Sequence, residues 1–116
     1  MTPFGEMVRA LRARRGVTLK QMAHDLDLSP AYLSALEHGR RGRPGGVLIR
    51  RICFYFNIIW DDAEELERRA NLSHPRVKID TAGLSPKATE FANRLAGGIA
   101  ALSDDKLARL LEELGE

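Results

Sequence analysis

Two closely spaced helix starts constrain the fold of this sequence more than any other feature. Thr18 followed by Gln21 has the form of a capping box, in which each side chain satisfies a backbone donor at the start of a helix. Apolar spacing extends this short helix to about Leu26. Ser29 then has the character of an N-cap, and Pro30 takes the first helical position, where the missing N–H costs nothing.

The connection between these two helices is predicted to be a tight turn of about four residues. Asp27 lies where the chain must reverse, and Asp tolerates left-handed backbone better than most residues. Gly39 is placed to end the second helix of the pair. A short helix, a turn and a second capped helix are therefore predicted between residues 18 and 39.

The rest of the chain is predicted to be helical apart from two segments. The other predicted helices are residues 3–15, a fourth helix on Val47, Leu48, Ile52 and Phe56, a fifth helix capped by Asp61, and two more that begin at Ser85 and Ser103. Residues 40–46 form a basic, Gly-rich loop. In residues 75–83, Val77 and Ile79 alternate with charged residues, and a short strand and an extended linker fit that pattern equally well.

Charge divides the chain into two unlike halves. Residues 1–56 carry ten Lys and Arg against four Asp and Glu, a charge of +6, whereas residues 57–116 carry eight against twelve, a charge of −4. This split indicates a polyanion-binding module joined to a segment that avoids the polyanion. With 116 residues, the chain suits one compact domain and a small appendage rather than a two-domain enzyme.

The pair of helices also resembles a known family. The resemblance to the helix-turn-helix of XRE-type regulators, which include the lambdoid phage repressors and Cro proteins, is carried by Gly16-Val17-Thr18, Met22-Ala23, Leu26, Leu28-Ser29, Tyr32-Leu33-Ser34, Leu36-Glu37, Gly39, Arg43-Pro44, Ile52-Cys53 and Ile58. It covers about half of the chain. It implies a five-helix lambda-repressor-like domain over residues 1–72. Together with the linker and two helices predicted from the pattern of residues 73–116, the predicted fold is all-α. The implied partner is double-stranded DNA, read by the third helix in the major groove.

The resemblance implies a set of DNA-contacting residues. Arg12 is expected to pair with Glu37 and to reach a phosphate, and Lys20 stands beside Leu19, where many family members carry a phosphate-binding glutamine. The expected DNA contacts outside the arginine loop, residues 40–46, are Arg12, Thr18, Lys20, Ser29, Pro30, Ala31, Tyr32, Ser34, Ala35 and His38. This face lacks the Arg, Gln or Asn that make bidentate bonds to bases, so contacts to thymine methyl groups are expected instead.

Arginines follow the third helix directly. Arg40 and Arg41 precede Gly42, and Arg43 precedes Pro44, so the loop contains Arg-Gly-Arg-Pro, which resembles the core of an AT-hook. Arg41 and Arg43 are expected to enter the minor groove of A·T-rich DNA. The alternative is a loop that pairs only with phosphates.

The C-terminal helices carry apolar stripes that a solvated tail does not need. The expected dimer contacts are Phe91, Leu95, Ile99, Leu107, Leu110 and Leu111, although the stripes could also fold back on the first five helices. The predicted function is a homodimeric repressor or autoregulator. The alternative is an antitoxin-like or phage-type interaction module whose C-terminal helices bind another protein.

Enzymatic, metal-binding and membrane roles are not expected. His24, His38 and His74 lie in different elements, so the sequence offers no catalytic set and no metal or cofactor site. Its apolar stretches are far shorter than the roughly 20 residues of a membrane helix. A cytoplasmic, nucleoid-associated protein with Cys53 as a buried reduced thiol is therefore predicted.

Overall fold

The computed structural model describes residues 1–115. Five of its helices begin at a residue with a hydroxyl side chain. The capping residues are Thr2, Thr18, Ser29, Ser85 and Ser103, and each accepts a hydrogen bond from the backbone N–H three residues later. The helices are α1 (Pro3–Arg15), α2 (Leu19–Asp25), α3 (Pro30–Glu37), α4 (Gly46–Phe56), α5 (Trp60–Asn71), α6 (Pro86–Gly98) and α7 (Asp104–Leu114), with a 3₁₀ turn at Ile99–Ala101.

The chain divides into two compact units, Met1–Val77 with α1 to α5 and Lys78–Glu116 with α6 and α7. No strand forms within residues 1–115, which confirms the all-α prediction. The strand alternative for residues 75–83 is wrong: a bend at 75–76 is followed by irregular chain and by a turn at 82–83.

The first unit has one apolar core. Its buried apolar side chains are Phe4, Val8, Leu11, Met22, Ala23, Leu26, Leu33, Leu36, Ile49, Ile52, Leu66 and Ala70. Met22, Ala23 and Leu33 have no exposed surface, so the α2–α3 pair packs as the sequence predicts. The predicted stripe on α4 is wrong at one position: Ile49 and Ile52 face the core, while Val47 is exposed over 65% of its surface.

The turn between α2 and α3 depends on Asp27. Its φ of +58° is left-handed, as predicted. The Asp27 N–H bonds to the carbonyl of His24 at 3.1 Å, and the Leu28 N–H bonds to the carbonyl of Ala23 at 2.8 Å. These two bonds satisfy carbonyls at the end of α2, and they reverse the chain before Ser29 begins α3.

Two predicted caps differ from the structure. Thr18 caps α2, but Gln21 does not reach back to it, because its amide donates instead to Asp25 Oδ1 at 2.8 Å. Asp61 does not cap α5. Asn57 ends α4 in left-handed backbone, and α5 then begins at Trp60, which leaves Asp61 inside the first turn, where the helix dipole favours a carboxylate.

Glu37, at the end of α3, joins α3 to α1. Its carboxylate accepts two hydrogen bonds from Arg12, one of them at 3.3 Å from Nη2 to Oε1, and its side chain is 1% exposed. Its carbonyl accepts from both the backbone N and the hydroxyl of Thr2, each at 3.0 Å. The two helices approach so closely that a Cβ on Gly5 would lie 2.2 Å from this carbonyl oxygen.

We predict that Glu37→Ala lowers the free energy of unfolding by about 3–5 kcal/mol, because it leaves the Arg12 guanidinium buried without a partner. Urea denaturation monitored by circular dichroism would measure the loss. Arg12→Met combined with Glu37→Leu should recover much of it, since both charges are then absent. The control is Glu6→Ala, which removes an exposed carboxylate 3.6 Å from Arg69 and should have little effect. A loss for Glu37→Ala no larger than that of the control would contradict this account.

Candidate nucleic-acid interface

The N-terminal part of α3 presents small side chains to solvent. Ser29, Pro30 and Ala31 are exposed, while Ser34 and Ala35, one turn further along, are half-buried. The Ser29 hydroxyl accepts from the Tyr32 N–H at 3.1 Å, which leaves its own proton available to a partner in solvent. This face can therefore approach another surface closely, because its side chains are short.

His38 lies at the other end of the same helix. Its Nδ1 donates to the carbonyl of Ser34 at 2.9 Å, which fixes the ring orientation and puts Nε2 on the opposite side of the ring. Thr18 and Lys20, at the start of α2, are also exposed. The structure thus leaves these three side chains accessible, as a DNA contact would require.

Arg12 is different from the other expected contacts. Only 9% of its side chain is exposed, and its guanidinium is bonded to Glu37. The pairing implied by the family resemblance is therefore present, but little of the guanidinium remains accessible to a phosphate. The phosphate contact of Arg12 stays a prediction.

The arginine loop leaves α3 through a Schellman motif. The Gly39 N–H bonds to Leu36 at 3.3 Å and the Arg40 N–H bonds to Ala35 at 2.8 Å, with Gly39 at a φ of +77°. Arg40 is exposed. The chain then passes Arg41 before it reaches a second left-handed glycine at position 42.

Arg41 lies over α3. Its guanidinium carbon is 5.8 Å from the centroid of the Tyr32 ring, at cation–π distance. The Tyr32 ring is half-buried against the core. Arg41 remains exposed beside the face of α3, so the loop adds a cation to that surface.

Arg43 points to a different helix. Its Nη2 donates to Asn71 Oδ1 at 2.7 Å, and its Nε donates to the carbonyl of Ala70 at 3.4 Å. Pro44, the next residue, is fully buried. The minor-groove contact expected of Arg43 would require both hydrogen bonds to the end of α5 to break.

The acceptors of Arg43 were not anticipated from the sequence. Asn71 and Ala70 are 28 and 27 residues away from it and belong to no motif. The pairing of Arg41 with Tyr32 is likewise a consequence of the loop path, since both residues were predicted as separate DNA contacts. Only the folded chain brings these groups together.

Other titratable groups in this unit have structural roles. Tyr55 donates to Asp25 at 2.7 Å and joins α4 to α2, which lowers the pKa of Asp25, while burial raises the pKa of Tyr55. Cys53 is half-buried, and burial raises the pKa of its thiol. Across residues 1–115, no cluster of His, Cys, Asp and Glu has the geometry of a metal site, and no helix has the length and apolarity to cross a membrane.

Comparison with known proteins identifies the family. A profile described as a helix-turn-helix domain matches residues 3–66, more than half of the chain. The chain belongs to the helix-turn-helix domain family. The resemblance to XRE-type regulators is thus confirmed at the level of this domain, whose matched range includes α1 to α4 and the start of α5.

Two Bacillus subtilis (strain 168) proteins are similar to part of this chain. The HTH-type transcriptional repressor RghR is 40% identical over 61 residues, and the uncharacterized HTH-type transcriptional regulator RghRB is 32% identical over 62 residues. Each alignment covers 53% of this chain and 45% of the relative, so the chain matches less than half of either protein. No solved structure matches the chain.

The residues expected to form the dimer all lie in the second unit. No side chain among residues 78–115 is fully buried. A groove of about 290 Å³ opens between α6 and α7, and its apolar lining consists of Phe91, Leu95, Ile99, Leu107, Leu110, Leu111 and Leu114. All six expected dimer contacts therefore share one apolar face.

We predict that Ala31→Glu abolishes specific duplex binding at moderate salt, because a long anionic side chain on the exposed face of α3 keeps the helix away from the base edges and repels the phosphates. Fluorescence anisotropy with a selected binding site would measure the affinity. Ala10→Glu, an exposed position on α1, is the matched control for added charge and should weaken binding only slightly. Equal affinities for the two variants would show that this face of α3 does not meet DNA.

Proposed function

We propose that this helix-turn-helix chain is a sequence-specific, double-stranded DNA-binding transcription regulator that acts as a homodimeric repressor or autoregulator. The single observation that carries the proposal is the surface formed by α3 and the loop behind it. Small exposed side chains on the helix allow close approach to base edges, and Arg40 and Arg41 add positive charge beside them. The similarity to RghR, an HTH-type transcriptional repressor, supports the repressor assignment.

The chemistry of α3 favours a particular way of reading DNA. Ala31 and Ala35 offer methyl groups to thymine methyls, and Ser29 and Ser34 offer hydroxyls that bond to several bases. These contacts discriminate weakly. Part of the specificity is therefore expected from DNA shape, which an arginine in a narrow minor groove can sense.

The second unit is proposed to supply the dimer. Among residues 78–115 no side chain is fully buried, and an exposed apolar groove between two amphipathic helices is typical of an interaction site. A second copy of the same unit offers an apolar face of matching chemistry, and two-fold symmetry would present two α3 helices to half-sites about one DNA turn apart. The same groove could instead take a different protein, as in an antitoxin-like module.

We expect the protein to be a dimer at tens of micromolar and Leu110→Asp to convert it to monomers, because the carboxylate would be desolvated in the interface. Light scattering would measure the mass. Ala108→Asp, an exposed position on the same helix, is the control and should leave the dimer intact. A monomeric unmodified chain, with and without DNA, would exclude the homodimer. Recovery of a stoichiometric protein partner that Leu110→Asp releases would then support the interaction module.

We predict that Arg41→Ala weakens binding to sites with A·T-rich flanks or centres much more than binding to G·C-substituted sites, because only the narrow A·T groove attracts an inserted arginine. Arg40→Ala is the comparison and should reduce affinity uniformly, with a salt slope lower by about one. Titrations on both versions of the site measure this difference. Equal losses for Arg41→Ala on the two versions would leave Arg41 as a phosphate contact only.

Selection of binding sites from random duplexes tests the proposal as a whole. A homodimeric regulator should enrich a pseudo-palindromic sequence, and its binding should weaken steeply as salt rises. Enrichment of no sequence, together with no salt-dependent shift of duplex DNA, would overturn the proposed function.

A further inference from the structure

The loop after α3 is fixed at both ends. At its start, Gly39 holds the Schellman motif, and a Cβ there would lie 2.9 Å from Thr2 Cγ2. At its end, Pro44 is fully buried and Arg43 bonds to α5. Between these ends, nothing lies within 4 Å of the place where a Cβ on Gly42 would stand, so this part of the loop projects into open space.

The end of α5 that receives Arg43 is itself held in place. Ala70 is fully buried, and Ser73 accepts from the Phe4 N–H at 2.9 Å while it donates to the Arg69 carbonyl at 2.6 Å. The guanidinium of Arg43 therefore rests on a fixed helix C-terminus, where the dipole and the last carbonyls favour a cation.

We propose that Arg43 is a positioning residue rather than a DNA contact: its hydrogen bonds to Asn71 and Ala70 hold the loop in the conformation that presents Arg40 and Arg41 to DNA. This inference rests on the proposed function. A loop ordered before binding loses less conformational freedom in the complex than a free one, so the bond to Asn71 raises affinity without touching DNA. Arg43 thereby connects the DNA-facing surface to the end of α5.

The test compares Arg43→Ala, Asn71→Ala and the double variant in duplex binding at several salt concentrations. A positioning role predicts that each single variant weakens binding by about tenfold, and that the double variant is no weaker than either single. A direct contact predicts that Arg43→Ala alone loses affinity and lowers the salt slope by about one, while Asn71→Ala binds as tightly as the unmodified chain. That second pattern, or unchanged affinity in all three variants, would overturn the inference.

Arg43→Lys separates the two roles without removing the charge. Lys cannot reproduce the planar fork that reaches two acceptors, so a positioning role predicts a loss close to that of Arg43→Ala, whereas a phosphate contact predicts nearly full affinity. Glu64→Gln, an exposed position on the same helix, is the control for α5. Circular dichroism and thermal unfolding of every variant confirm that α1 to α5 remain folded.

The outcome also separates this inference from the function on which it rests. If the unmodified chain shows no salt-dependent binding to duplex DNA, the proposed function fails. If the unmodified chain binds and Asn71→Ala binds equally well, only the positioning role of Arg43 fails.

Discussion

The buried contact around Glu37 is the interaction on which the rest of the first unit depends. One residue at the end of α3 pairs with Arg12 through its carboxylate and with Thr2 through its carbonyl, while Gly5 lets α1 approach to within backbone contact. Removing one partner of such a buried pair is costly, because the other charge is then left buried without compensation. These contacts hold the C-terminal end of α3 against α1.

The chemistry of the exposed face of α3 depends on how this helix packs. Because α3 has short side chains on its outer face, a large share of the positive charge beside it comes from the loop that follows. That loop is arranged by contacts with two helices: Arg41 lies over Tyr32 on α3, and Arg43 is bonded to Asn71 on α5. Arg41 and Arg43 thus have different surroundings, although both belong to the same Arg-Gly-Arg-Pro motif.

The second unit differs from the first in how its apolar side chains are arranged. Its helices are capped and amphipathic, yet they enclose no buried side chain among residues 78–115 and leave an apolar groove between them. Exposed apolar surface of this kind gains free energy when a partner covers it, and it is typical of interaction sites. The proposed dimer assigns that role to a second copy, which would also double the number of α3 helices that reach one DNA molecule.

The sequence by itself determined the helices, the α2–α3 turn and the family, because these depend on local signals: the hydroxyl caps at Thr18 and Ser29, the left-handed Asp27, and apolar residues at helical spacing. Only the tertiary structure decided the long-range polar partners that no motif or resemblance implied. Tyr55 reaches Asp25, 30 residues away, and Arg43 reaches Asn71, 28 residues away. The physical reason is that a cap is satisfied within four residues, whereas the choice among distant acceptors depends on how the helices pack.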